Sequence, residues 1–362
     1  MHSLFYRSIG FAFVLSLGLA SASAQSKQPT QPPVLLQMIR DDAVHAELGL
    51  DDQQIEKVMA MLREVDPPWF RARNFPADRQ GPEIERLTGQ LRSQLNPTLT
   101  AKQRLRLKEL ECQALGTRMV LRDEVAMELR LTTDQKQRFN ESFLETDERS
   151  IEIQKAIQSG KRDAAEGNRE LEQLKSKERK SLINQLTNDQ KSRLGGLTGQ
   201  PFSFSQIRRT YPLAPELDLS GATWIQGGPL SLEELRGKVV AVHFYAFQCI
   251  NCQRNFDHYQ GWYKDYADED LVIIGIQTPE TSAERQLDRV SSAVKKDGMT
   301  YPVLFDGSSS NWKNWSNTMW PTVYLIDRDG FLRRWWQGEL NWQGTPGEKQ
   351  MRESIEQLLA EK

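Results

Sequence analysis

The run Val239-Val240-Ala241-Val242-His243-Phe244-Tyr245-Ala246-Phe247-Gln248-Cys249-Ile250-Asn251-Cys252 passes from a β-branched and aromatic pattern directly into a Cys-x-x-Cys. Val239 to Tyr245 is a β-branched and aromatic run, which predicts a strand. A helix is predicted from Asn251 to Ala267, so the two cysteines sit at a strand-to-helix junction. A Cys in the first turn of a helix has its thiolate favoured by exposed N–H groups and the helix dipole. The second Cys, one turn later, faces the first and closes or opens a short disulfide. Cys249 therefore reads as the nucleophile and Cys252 as the resolving thiol. Two other readings of the spacing stay open: a structural disulfide, and half of a metal site for which His258 is the only His following closely.

Outward from this run, strand and helix signals alternate. Leu271 to Gln277, Pro302 to Phe305, Thr322 to Ile326 and Phe331 to Gln337 are β-branched or aromatic runs. Helices are predicted at Ala283 to Lys296 and Gly347 to Ala360. Strand, crossover helix, parallel strand and a terminal hairpin together predict a compact α/β sheet covered by helices. Every Trp except Trp69 lies in this part of the chain. Trp312, Trp315, Trp335 and Trp336 read as core and sheet-face residues.

The chain before it, from Val34 to about Gly199, reads as helix, with apolar residues recurring at three and four, as in Phe139 and Phe143 or Ile153 and Ile157. One five-residue box returns four times: Leu50-Asp51-x-x-Gln54, Leu99-Thr100-x-x-Gln103, Leu131-Thr132-x-x-Gln135 and Leu186-Thr187-x-x-Gln190. Each is a helix start in which the Asp or Thr oxygen accepts from a first-turn N–H and the Gln reaches back to the cap N–H. The unequal intervals exclude a solenoid and fit a bundle of antiparallel helices. Breaks are expected from Asp66-Pro67-Pro68 to Gly81-Pro82 and from Ser159-Gly160 to Gly167. The aromatic and basic run Trp69 to Phe75 is either a partner surface or folds back onto the bundle it leaves. Cys112 shares a helical face with Leu105, Leu115 and Met119 and reads as a buried core thiol, the alternative being a regulatory or intermolecular partner.

Composition narrows the chemistry. The 362 residues are 38% apolar and 27% charged, enough to bury real cores. With 47 Lys and Arg against 49 Asp and Glu, the net charge of −2 provides no basic footprint for nucleic acid. Three Cys rule out a disulfide-knotted scaffold and leave a four-ligand zinc cluster short of donors. At the N-terminus, Arg7, the apolar run Ile9 to Ala20 and Ala22-Ser23-Ala24 read as a signal peptide cleaved before Gln25, or otherwise an uncleaved anchor. The expected compartment is the periplasm or cell envelope, where disulfides are permitted.

Leu230-Ser231-Leu232-Glu233-Glu234-Leu235-Arg236-Gly237-Lys238 leading into a strand, then Phe244-Tyr245-Ala246 before the Cys pair, resembles the active-site approach of the thioredoxin superfamily in its TlpA/ResA-like branch. Trp320-Pro321-Thr322 and Tyr324-Leu325-Ile326-Asp327-Arg328-Asp329-Gly330 resemble that family's cis-proline loop and final hairpin. Cys-Ile-Asn-Cys, Trp262 to Tyr266, Thr278-Pro279-Glu280 and Gly338-Glu339 are similar to its DipZ-like subgroup. The Leu-Thr-x-x-Gln boxes resemble small helical proteins of the Spy/CpxP type, although capping alone explains them. The resemblance implies a fold of α + α/β class, a helical bundle followed by a thioredoxin-like α/β domain. The divisions are a signal peptide at 1–24, a linker at 25–33, the bundle at 34–200, a second linker at 201–221 and the redox domain at 222–362.

It also implies an extracytoplasmic thiol–disulfide oxidoreductase that reduces protein disulfides through Cys249 and Cys252 without a bound cofactor or metal. Pro321 holds a bound peptide's backbone, and Glu280 either relays protons for Cys252 or is a surface acid. Trp320 and Gln248 contact substrate, Gln248 standing where many thioredoxins carry Trp. Expected partners are substrate proteins with disulfides and an upstream dithiol donor, with a homodimer through the helical domain also open. The competing reading is a helical chaperone-like or dimerisation protein that uses the thioredoxin fold as a binding scaffold.

Overall fold

The computed structural model describes residue 29, residues 31–158 and residues 161–361. The expected leader at 1–24, most of the linker after it and the Ser159-Gly160 turn lie outside the described residues. A helical region is followed by an α/β domain, and the chain forms two compact units. One runs to Val58 and resumes from Thr88 to Arg208; the other joins Met59–Leu87 to the chain from Arg209 onward.

The helices are α1 Val34–Met38, α2 Asp42–Leu48, α3 Asp52–Ala72, α4 Ala77–Thr98, α5 Ala101–Leu115, α6 Asp123–Glu128, α7 Thr133–Gln158, α8 Ala164–Gln185 and α9 Asn188–Thr198. All four boxes start helices as their sequence predicts: in each, the Asp or Thr oxygen accepts the N–H three residues on, and the Gln oxygen accepts the cap N–H. The boxes also join in pairs. The Gln54 and Gln103 amides exchange hydrogen bonds at 2.9 Å, and each donates again to the carbonyl before the other's Leu, Thr98 and Gly49. Gln135 and Gln190 repeat the arrangement with Gln185 and Arg130. Gly49 and Arg130, each preceding a box, both take the left-handed conformation, at φ 61 and 51. Four separate caps thus become two cross-linked junctions.

Cys112, Leu115 and Met119 are buried in this unit's core with Phe139, Phe143 and Leu182. Leu105, expected on their stripe, is 59% exposed. The buried positions at that turn are Gln103, committed to its box pair, and Leu107.

The second unit is built on a six-stranded sheet of β1 Thr223–Gln226, β2 Val239–Tyr245, β3 Leu271–Gln277, β4 Val303–Phe305, β5 Thr322–Ile326 and β6 Leu332–Gln337, in the order β1-β4-β3-β2-β5-β6. Strands β2, β3 and β4 run parallel, with antiparallel β5 and β6 on one side and β1 on the other. The helices here are α10 Ile250–Asp265, α11 Leu287–Lys296, α12 Ser310–Asn314 and α13 Gly347–Ala360. Strand β2 is buried throughout, so its alternating side chains feed two cores. Val239, Ala241 and Tyr245 enter one with residues of α10, α11 and α13. Val240, Val242 and Phe244 enter the other, with Tyr324, Trp315 and Phe70 of α3.

Phe70 corrects two expectations. Helix α3 does not break at Pro67-Pro68 but runs through both. An interior proline costs about 3 kcal/mol; burial of Val65, Phe70 and Ala72 on either side supplies the opposing term. The Trp69 to Phe75 run sends Phe70 into the core on one face of the six-stranded sheet rather than back onto the bundle. Likewise α4 continues past Gly81-Pro82, leaving only 73–76 between the two helices. The stretch 201–221, read as linker, contributes Leu217 to the same core.

Replacing Gln190 by Ala should lower stability by roughly 1–3 kcal/mol in urea unfolding, because it strips a cap and leaves the buried amide of Gln135 short of a partner. A change near zero would mean that the paired junction contributes nothing.

Candidate active site

Strand β2 delivers the chain to Ala246, whose carbonyl accepts the Cys249 N–H at 3.2 Å, and this turn sets Cys249 as the N-cap of α10 with extended backbone. Cys249 is half-buried, Cys252 is buried, and both thiols are free. The Cys249 carbonyl accepts from the N–H groups of Cys252 and Gln253 at 3.0 and 3.1 Å. The sulfur sits where first-turn N–H groups are open to it.

The two thiols are driven apart in acidity. The Cys252 side chain hydrogen-bonds the Cys249 sulfur, and this, assisted by the N–H groups of Cys252 and Asn251, outweighs burial and the Glu280 carboxylate. The Cys249 pKa falls from an ordinary 9.0 to about 7. Burial, then the hydrogen bond to Cys249, push Cys252 far above the usual thiol range, so it holds its proton. Its surroundings are neutral and aromatic: Tyr245, Phe256, Tyr259 and Trp262 share its core. Behind them His243, driven down to about 3 by burial and so uncharged, stacks on Tyr259 at 4.2 Å. Cys112 belongs to the other unit's core, where burial pushes it up to about 11, as befits a structural thiol.

Three anchors fix the loops around Cys249. The buried Glu284 carboxylate accepts the N–H groups of Gln248, Glu280 and Thr281, each at 2.8 Å, while the Thr281 hydroxyl donates to Gln248 Oε1 at 2.6 Å. The loop holding Glu280 is thereby tied to the residue preceding Cys249. Buried Asp306 accepts from Ser310 and Trp312 N–H groups, starting α12, and from the Thr278 hydroxyl at 3.5 Å. The third is the Trp320-Pro321 loop: its peptide bond is cis, Trp320 stacks on Trp312 at 3.9 Å, and the Pro321 carbonyl accepts the Gly338 N–H. A shallow groove beside the pair is lined by Asn251, Met319, Trp336, Gly338 and Trp342.

The sequence-predicted residues therefore divide. Cys249 and Cys252 are in contact, and Trp320 packs against the core that holds Cys252. Glu280 is exposed and acts on both thiols through its charge. Gln248 is exposed and engaged with Thr281. Glu284 and Asp306 were missed, since each lies at a loop or short helix start whose local pattern reads as ordinary capping; Trp312, read as a core or sheet-face residue, instead stacks on Trp320. Among the described residues no group of three or more His, Cys, Asp or Glu is placed to hold a metal ion.

Residues 213–335 match the AhpC/TSA family. The chain is similar to protein DipZ of Mycobacterium bovis, 40% identical over 130 residues, which is 34% of this chain and 19% of that protein. It is similar to the thiol-disulfide oxidoreductase ResA of Bacillus cereus, 28% identical over 108 residues, 30% of this chain and 60% of that one. The chain thus spans less than two thirds of each of these relatives. A thiol-disulfide isomerase structure from Corynebacterium glutamicum covers 41% of this chain and 98% of its own, at 24% identity and a TM-score of 0.35.

Because the Glu280 carboxylate disfavours the thiolate, Glu280→Gln should lower the pH midpoint of Cys249 alkylation below that of the wild type. An unchanged or raised midpoint would show that Glu280 does not act on the sulfur. Glu284→Ala should cost about 3 kcal/mol in denaturant unfolding, since three loop N–H groups lose a charged acceptor. A loss below about 1 kcal/mol would contradict the anchoring role.

Proposed function

We propose that this AhpC/TSA-type redoxin domain reduces disulfides of client proteins in an extracytoplasmic compartment, with Cys249 and Cys252 as the reacting dithiol. The observation that carries the reading is the split between a Cys249 thiol lowered to about 7 at the mouth of α10 and a protonated Cys252 beneath it.

The Cys249 thiolate attacks one sulfur of a client disulfide, forming a mixed disulfide and releasing one client thiolate. Cys252 then loses its proton and attacks the Cys249 sulfur. The second client thiolate leaves, and the Cys249–Cys252 disulfide remains. Two electrons pass to the client, whose thiolates take up two protons. An upstream dithiol returns the enzyme pair to its reduced state by the same exchange. Cys252 gains nucleophilicity only after Cys249 is engaged, because the charge that its proton was serving has then gone into the new bond.

The client surface in this reading is the groove beside Cys249. Ile250, Met319 and Trp342 expose 57%, 49% and 51% of their area there or next to the pair, large for apolar side chains. Met319 brings the Trp320-Pro321 loop to that groove; Pro321 itself is buried, has no N–H of its own, and gives its carbonyl to the Gly338 N–H. Neither Ile250 nor Asn251 adds a cation that would over-stabilise the thiolate, which favours a reductant over a strong oxidant. The extracytoplasmic assignment is supported by the leader pattern in the first 24 residues. Among the described residues no helix is long and apolar enough to cross a membrane.

With a dithiol donor, the protein should reduce insulin disulfides, Cys249→Ser should abolish turnover, and Cys252→Ser should accumulate mixed disulfides visible as reducible adducts on non-reducing gels. The reduction potential should fall toward the lower end of a range from about −270 to about −120 mV. Adducts formed by Cys249→Ser instead would reverse the assignment, and a folded wild type without turnover or adducts would favour the binding-scaffold reading.

A further inference from the structure

The turn before the Trp320-Pro321 loop and strand β5 after it are both reached by Arg73, the first residue after α3, across 242 and 251 residues of sequence. Residues 59–87 pack in the same unit as the sheet. Helix α12 ends in a tight C-terminal turn: Ser316 and Asn317 N–H groups return to the Lys313 and Trp312 carbonyls, and Ser316 adopts the left-handed conformation at φ 47. That geometry leaves the Trp315 and Ser316 carbonyls pointing out of the turn. Arg73 Nη2 donates to both, at 2.6 and 3.2 Å, and to the Tyr324 hydroxyl at 3.1 Å. Its other arm donates to the Phe70 carbonyl at 2.7 Å, and the guanidinium lies 3.5 Å over the Phe70 ring. Asn74 gives the Ser316 carbonyl a further donor.

This set of contacts is a clamp on the loop, not a surface ion pair. A planar fork with five donors serves several oxygens at once, which a single ammonium does not. The Tyr324 hydroxyl, while accepting from Arg73, donates to Asn317 Oδ1 at 2.6 Å, so both strand β5 and the loop before it answer to the same guanidinium. From the clamped turn the chain has only Thr318 and Met319 before Trp320 and Pro321. Upstream, Trp312 of the same short helix stacks on Trp320. Phe70 closes the underside, edge-on to Trp315 and Tyr324 at 6.4 and 5.9 Å.

We propose that Arg73 is a positioning residue for the redox site: by gripping the turn after α12 and β5 together it fixes the Trp312–Trp320 stack and the Met319 side of the groove that Asn251, between the two cysteines, also lines. It rests on the reading of Cys249 and Cys252 as the reacting dithiol. A small disulfide needs only the Cys249 sulfur, whereas a protein client must also dock along the loop. Losing the clamp therefore separates the two substrates.

In the full-length protein, Arg73→Ala should raise the KM for insulin by roughly tenfold or more while turnover of oxidised glutathione and the reduction potential stay at wild-type values. The near-UV circular dichroism of the stacked indoles should weaken, and Arg73→Lys, which keeps one donor at a time, should fall between. A wild-type KM for insulin with an unchanged spectrum overturns the proposal. So does an equal loss with both disulfides accompanied by a lowered Tm, which is what a stabilising role alone would give. Should Arg73→Ala not fold, Arg73→Lys carries the test, and a wild-type KM in that variant is likewise contrary. Turnover that persists in Cys249→Ser would instead overturn the dithiol reading itself.

Discussion

A Cys249 thiol whose pKa is lowered and a Cys252 thiol that keeps its proton require opposite surroundings for two groups one helical turn apart. Cys249 must stay at the helix mouth, within reach of open N–H groups and partly exposed. Cys252 must be dry enough to keep its proton. A buried strand running straight into a helix N-terminus meets both demands: β2 brings the chain out of the sheet at Ala246, and the first turn of α10 carries Cys252 back under it. The aromatic floor of Tyr245, Tyr259 and Trp262 is then a condition of the chemistry as well as of the fold.

Around that pair the loops have little regular structure of their own, and buried polar anchors do the holding. Glu284 gathers three N–H groups on one carboxylate, Asp306 starts α12 and reaches Thr278, and Arg73 collects the carbonyls at that helix's other end. Charge-assisted bonds of this kind suit the task, because an unmet loop N–H or carbonyl costs more than a met one gains. The helical boxes use the same economy in a neutral form, each Gln amide serving its own cap and its partner's.

Most of the redox domain was legible because its signals are local. Val239–Tyr245, Leu271–Gln277, Thr322–Ile326 and Gly347–Ala360 occupy the residues their patterns predict. Strand β1 escaped because its four residues are at most half-buried and pair only at an edge. What the pattern does not encode is which core a side chain enters. The aromatic and basic run around Phe70 does not say which surface it meets, and only the packed structure places Phe70 beside Trp315 and Tyr324. Prolines 67 and 68 misled for a related reason, since their local penalty was weighed without the burial on either side. At the site, the Cys pair and the Trp-Pro step announce themselves by residue type, but Glu284 and Arg73 act across 36 and more than 240 residues, a separation that no motif records.

The inequality of the two thiols is tested most directly by labelling the cysteine Cβ carbons and following both resonances of the reduced protein against pH. The account predicts that Cys249 titrates with a midpoint near 7 while Cys252 stays protonated throughout the accessible alkaline range. A Cys252 resonance that moves first, or two resonances titrating together near the ordinary thiol value of 9.0, would contradict it.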